Sequence, residues 1–296
     1  MPKNPLAEVF GYPINNMTQD AINHRRGRLC PFHNSSGINC TKSSATDPIG
    51  VCTIFDGTKV VSTCPVRFRE DFLIVSDAAD FFFPGSNYVA ITEARLKDLN
   101  GKSAGNIDIV IATMNKNGEV LDFGAVEVQA VYITGNVRNV FDKYMENPSN
   151  NQDMTWPAKN YPSPDYLSSS RKRLAPQLIY KGGILHKWGK KMAVVVDESF
   201  FAQLPVLEEV DKEIADIAWM VYGFQKKGGH YSLRKKAIHY TRFEDALATI
   251  TTPEVGNASE FVEYLKDRIS KGKIMGIPVT SGVSPDVEPL PKSLGK

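Results

Sequence analysis

Two largely apolar runs carry polar side chains that could act together: Asp108 in GNIDIVIATM, and Glu127 and Gln129 in VLDFGAVEVQAVYI. Between the two runs stands Asn117-Gly118, which favours a two-residue hairpin turn because both central residues of a type I′ turn need positive φ. With that turn, residue 116 faces 119 and, counting down both strands, Asp108 faces Glu127. Side chains alternate along a strand, so Gln129 shares a face with Glu127, while Val126, Val128 and Ala130 point into the opposite layer. Two carboxylates directly opposed on one face repel each other, and a divalent cation is the natural compensation. The set suits Mg²⁺, which takes one or two protein carboxylates and completes its shell with water and substrate phosphate. Such an ion activates an attacking water and neutralises charge developing on a scissile phosphate. Without it, one Asp and one Glu in a hairpin are an ordinary solvated strand face, and a bulge would shift the register.

A second group is the four cysteines, Cys30, Cys40, Cys52 and Cys64, with 9, 11 and 11 residues between them and no Cys-x-x-Cys knuckle. All lie in a segment poor in core material. Tetrahedral thiolate ligation of zinc or iron would supply the missing folding energy; four unrelated buried thiols are the alternative. No run approaches the roughly 20 apolar residues that span a bilayer, and the N-terminus lacks the apolar core of a signal peptide. The chain is therefore expected in the cytoplasm with no membrane partner, where stable disulfides are rare and metal roles become more frequent. The five histidines (24, 33, 186, 230, 239) show no zinc-hydrolase spacing; His33, close to Cys30, is the one alternative ligand.

The elements that must position these groups suggest an α/β fold, a mixed sheet flanked by helices. Residues 1–70 hold every cysteine, are rich in Gly, Pro, Asn, Ser and Thr, and show little sustained periodicity; they form an expected metal-binding N-terminal subdomain. Residues 71–273 form the expected catalytic and DNA-binding core, and 274–296 a loose tail. Within the core, ITEARLKDLNG (91–101) predicts a short helix carrying Glu93, and NVRNVFDKYM a second helix. Residues 147–170 read as a long irregular loop, followed by helical APQLIYKGGILHKWG. MAVVVD (192–197) has the continuous apolar character of a strand buried on both faces. Asn257 with Glu260 is a capping pair opening SEFVEYLKDRIS.

Once the cysteines, GNIDIV and AVEVQAV are taken together and in order, the chain resembles the NotI family of type II restriction endonucleases, of the PD-(D/E)xK nuclease superfamily. The resemblance covers roughly residues 28–200, and Glu127-Val-Gln129 matches the Glu-x-Gln of that family. In the wider superfamily the last position is Lys; a neutral amide orients water but brings no positive charge, which leaves open whether a neighbouring lysine or a second metal ion serves instead. The resemblance implies a bacterial enzyme making Mg²⁺-dependent cuts in double-stranded DNA as a homodimer, at a GC-rich palindrome with a GGCC centre as one form. It implies a structural iron on Cys30, Cys40, Cys52 and Cys64, with zinc as the fallback, and a catalytic set of Asp108, Glu127, Gln129 and Glu93. Glu93 enters because nucleases of this fold often place a carboxylate on the helix before the first catalytic strand.

Lys and Arg total 35 against 33 Asp and Glu, so the net charge of +2 gives no bulk argument for a nucleic-acid partner. Basic clusters are local: Arg25, Arg26 and Arg28; Arg171, Lys172 and Arg173; HKWGKK; and QKKGGHYSLRKK. Reading guanine in the major groove is a task for bidentate Arg, so the first two clusters are the expected DNA contacts, though any charge run can be plain solvated surface. Two other functions compete: a noncatalytic, metal-stabilised DNA-binding protein, and a nuclease of the same fold without sequence specificity. Opposed carboxylates beside an anionic backbone disfavour the first, and mapped cleavage ends separate the second.

Overall fold

The structure is a computed structural model and describes residues 3–35 and 37–273. The expected tail, 274–296, lies outside the described residues. By their contacts the described residues up to 252 belong to one compact unit and those from 253 to 273 to another. The second unit contains the helix Ala258–Ser270, opened by Asn257, whose side chain accepts a hydrogen bond from Ser259 N.

The N-terminal part of the first unit holds a four-stranded sheet of β1 (Leu6–Val9), β2 (Tyr12–Pro13), β3 (Val51–Asp56) and β4 (Lys59–Ser62), in the order β2-β1-β3-β4. Strands this short, with Leu6–Val9 and Val51–Ile54 buried throughout, leave no alternation in the sequence, which is why no strand was expected there. Its core residues Leu6, Val9, Phe10, Val51 and Ile54 pack with Val140, Phe141 and Tyr144 of the helix Val137–Glu146. Arg67 fastens this sheet to the rest. Its guanidinium forms a two-pronged pair with the buried Glu8, at 2.8 and 3.2 Å, lies between the rings of Phe32 and Phe224, and donates to Tyr231 O at 2.6 Å.

The main sheet has six strands: β5 (Val89–Lys97), β6 (Ser103–Met114), β7 (Val120–Gln129), β10 (Met192–Asp197), β11 (Ile217–Lys227) and β12 (His230–Thr241). Between β7 and β10 in the chain, β8 (Tyr132–Thr134) and β9 (Ser163–Asp165) form a separate pair. The main order is β12-β11-β10-β7-β6-β5, with β7, β10 and β11 parallel and the outer strands antiparallel to their neighbours. MAVVVD is thus the buried central strand its apolar run predicts. One face is covered by the helix Leu73–Phe82 through Ile74, Val75, Ala78, Ala79 and Phe81. The other is covered by the helical run 166–187, through Leu174, Leu178 and Leu185, and by Phe243 and Ala246.

Two expectations are corrected. Residues 91–101 are not a helix: Val89–Lys97 is the edge strand of the main sheet, closed by a turn in which Asp98 accepts from Asn100 N and Lys102 N. Helix-favouring residues such as Glu93, Ala94, Arg95 and Leu96 are overridden because β6 offers a full ladder of partners, and exposed charges suit an edge strand. The hairpin tip is also different. Asn115 N donates to Glu119 O and Gly118 N to Asn115 O, so the loop is Lys116-Asn117-Gly118, with positive φ at Gly118 and not at Asn117. Asn115 Oδ1 secures it by accepting from Asn117 N and Glu119 N. The longer loop pairs Met114 with Val120, and a bulge at Leu121 then restores the expected register, Thr113 with Asp122 through Ile109 with Val126.

Candidate active site

Continuing that register by one residue brings Asp108 opposite Glu127, and the β5–β6 register, with Thr92 on Ile109 and Ala94 on Ile107, brings Glu93 opposite Asp108. The three acidic residues form one row across adjacent strands. Glu93 reaches its place from the edge strand, with φ +57, in a conformation that side chains adopt rarely and that is often stored at functional positions. It is exposed, and Arg69 lies 3.6 Å from its carboxylate.

Asp108 is half-buried; its Oδ2 accepts from Val128 N at 2.8 Å. Burial raises its pKa, against the pull of the Val128 amide and of Lys181. Glu127 is fully buried, and its carboxyl is pushed up to about 8, first by burial and then by the charge of Asp108. Its Oε2 accepts from Lys181 Nζ at 2.6 Å, whereas its Oε1 is buried without a hydrogen-bond partner. Gln129 is buried on the same face, but its amide donates to Ala130 O at 2.8 Å, so its nitrogen is engaged with the main chain. Lys181 also donates to Asn106 O at 2.7 Å.

Lys181 was missed from the sequence, although a signal was present. Leu174, Leu178 and Leu185 mark the core-facing stripe of a helix, and Lys181 occupies the stripe position between them. A charge at such a position must find a partner inside the protein. The helix reaches it through two widened, π-helical turns, Ser170–Leu174 and Leu178–Gly182, a distortion frequent at functional sites.

A family model described as restriction endonuclease NotI matches residues 8–233. The chain belongs to the NotI restriction endonuclease family. A search among curated proteins returned no match. NotI-family membership makes the chain a site-specific, DNA-cleaving endonuclease, and its central mixed sheet flanked by helices is compatible with a restriction-endonuclease-like fold. The matched span contains Glu93, Asp108, Glu127, Gln129, Lys181 and all four cysteines.

The expected DNA contacts of this NotI-family chain fall in different settings. Arg171, Lys172 and Arg173 are exposed on the first π-helical turn, with Arg173 stacked 4.1 Å from the ring centre of Tyr132. Arg26 is exposed, and Arg28 is exposed but paired with Asp47 at 2.6 Å. Arg25 is buried: its guanidinium donates to Asn16 O and Pro13 O, both at 2.7 Å, and lies over Tyr144. Arg25 thus holds the N-terminal helix Gln19–Gly27 to the fold and presents no charge to solvent.

The four cysteines are buried free thiols gathered in the N-terminal region. Burial pushes the Cys30 thiol up to about 11, with Cys64 and Cys40 adding to the rise, and Cys52 is raised by burial and then by Cys64, so the sulfurs sense one another. Backbone N–H groups point at them: Phe32 and His33 toward Cys30, Lys42 toward Cys40, and Gly11 toward Cys52 at 3.3 Å. This donor pattern suits thiolates. Among the described residues, however, no group of three or more His, Cys, Asp or Glu side chains is assembled to hold a metal ion. His33 Nε2 is buried without a hydrogen-bond partner. Among the same residues, no helix is long and apolar enough to cross a membrane.

Proposed function

We propose that the chain makes Mg²⁺-dependent double-strand cuts at a GC-rich palindrome, with Asp108 and Glu127 holding the ion. The observation that carries this reading is Glu127 Oε1, an acceptor buried without a partner on a carboxyl that the charge of Asp108 already disturbs. Buried polar atoms are almost always satisfied, so an orphan acceptor beside a second carboxylate fits a cation. Mg²⁺ takes as few as one or two protein carboxylates, so the lack of a three-ligand group among the described residues is compatible with it. When bound, the ion supplies a Lewis acid for a phosphoryl oxygen and a water of lowered pKa.

Asp108, fixed by the Val128 amide, and Glu127, fixed by Lys181, are held in orientation before any ligand arrives. Glu93 completes the acidic row from the edge strand, and Gln129, tied to Ala130 O, stiffens the end of β7. In the reaction a bond forms between a water oxygen and phosphorus and the bond from phosphorus to one sugar oxygen breaks. That oxygen leaves with the proton the water gives up.

Arg26, Arg28, Arg171, Lys172 and Arg173 are the exposed cations assigned to DNA, with bidentate arginine–guanine contacts as the reading mode. A palindrome read symmetrically calls for a twofold homodimer, each protomer delivering one site to one strand. The four cysteines are assigned a structural iron ion, or zinc, in a bacterial cytoplasmic protein. Digestion of a large plasmid with Mg²⁺ or with EDTA, with the ends mapped, tests the reading. Discrete fragments with Mg²⁺ alone are expected, and Glu127→Ala abolishes them while a mobility-shift assay still detects the DNA complex. A smear, or cutting that survives Glu127→Ala, overturns it.

A further inference from the structure

Gln129 leaves β7 without a cation beside Glu127, while Arg69 stands 3.6 Å from Glu93 at the outer end of the acidic row. Asp108, Glu127 and Glu93 bring three carboxyl groups to one stretch of three adjacent strands, and the amide that could have answered them donates to Ala130 O instead. A phosphate approaching that row would bring further negative charge. Lys181 enters from the helical run 166–187, which covers the face of the sheet that Glu127 shares. It is only 7% exposed, its Nζ lies 2.6 Å from Glu127 Oε2, and its second bond is to Asn106 O, two residues before Asp108. Its stem runs over Gly105, where an added side-chain carbon would stand 3.4 Å from Lys181 Cε.

A buried ion pair is a poor source of stability, since apolar residues replacing both partners are often as good for folding, whereas replacing Lys181 alone would leave Glu127 buried without its partner. Here the two hydrogen bonds occupy two of the three ammonium donors and aim the charge at the middle of the acidic row. We propose that Lys181 is the fixed cation of the cleavage site, supplying from the covering helix the positive charge that Gln129 cannot. It holds the Glu127 carboxylate in place and offsets the negative charge that grows on the phosphate as the water adds, acting as a positioning residue through Glu127. This inference rests on the assignment of Asp108 and Glu127 to the cleavage reaction.

The charge can be moved rather than merely removed, which separates a catalytic contribution from a packing one. Lys181→Met is expected to lower kcat about a hundredfold or more, in the range seen for loss of one transition-state donor. KM and the mobility-shift affinity should stay within a few-fold. Adding Gln129→Lys to Lys181→Met puts an ammonium back beside Glu127 from the strand side and should recover at least about tenfold of the loss. Should Lys181→Met not fold, as read from its thermal melt, Lys181→Gln keeps a donor near Asn106 O and reports on the charge alone, with the same loss expected. Wild-type kcat in Lys181→Met, or in Lys181→Gln if that is the variant that folds, overturns the inference. So does a folded double variant no faster than Lys181→Met. A wild-type protein that fails to cut with Mg²⁺, or a Glu127→Ala variant that still cuts, sinks the underlying site assignment instead.

Discussion

Glu127 is in a setting that should show itself as a pH-dependent metal requirement. Its carboxyl, pushed up to about 8 by burial and by Asp108, is largely protonated below that pH, and only the ionised form binds a cation. Proton and Mg²⁺ therefore compete. The Mg²⁺ concentration giving half-maximal cleavage should rise as pH falls below about 8, approaching about tenfold per pH unit, and level off above it. High Mg²⁺ should restore the rate at pH 6.5; cleavage with a flat Mg²⁺ requirement from pH 6.5 to 9 would contradict the assignment. The opposition of Asp108 and Glu127 was legible because hairpin arithmetic needs only an even–odd count along two strands. Lys181 was not read, because the stripe of leucines around it shows only that it is buried, and its partner Glu127 lies 54 residues away where no local pattern points to it. Arg25 misled for the opposite reason: a basic triplet looks like surface until the carbonyls of Pro13 and Asn16 are seen to surround one member.

Among the elements, β6, β7 and β10 were visible as apolar runs of suitable length, and the helix Val137–Glu146 as a periodic one. β5 was hidden behind helix-favouring residues, since a strand at the edge is made by its neighbour's free ladder rather than by its own propensity. The β6–β7 hairpin was correct in outcome and wrong in route, the loop being one residue longer and the bulge at Leu121 taking that residue back. Leu121 is 65% exposed, so Leu121→Ala should leave cleavage and melting temperature near wild type. Deleting Leu121 should likewise spare cutting, because it removes only the extra residue of the bulge: Met114 stays on Val120, Thr113 on Asp122, and Asp108 still faces Glu127. A deletion variant that folds but no longer cuts would refute this account of the register.

For the whole molecule, the N-terminal region was expected as a separate subdomain needing a staple, and the structure builds it into the same compact unit as the main sheet. The short strands that do this carry no periodic signal. If the four thiols hold iron or zinc, purified protein should contain close to one such ion per chain, and a chelator should lower the melting temperature while exposing residues 1–70 to proteolysis. Metal-free protein with an unchanged melt would remove that assignment. Ser62, at the end of β4, accepts from Val131 N at 2.9 Å, while its own amide donates to Asp197 at the tip of β10 at 3.3 Å. Two residues beyond Ser62 stands Cys64; two residues before Val131 stands Gln129. Trimming the first seventy residues would thus not liberate a smaller working nuclease. It would strip the Val131 amide of its acceptor and the buried Asp197 carboxyl of one of its two amide donors, beside the strands to which the cleavage reaction is here assigned, so the cysteine-bearing portion is scaffolding for the blade and not a detachable handle.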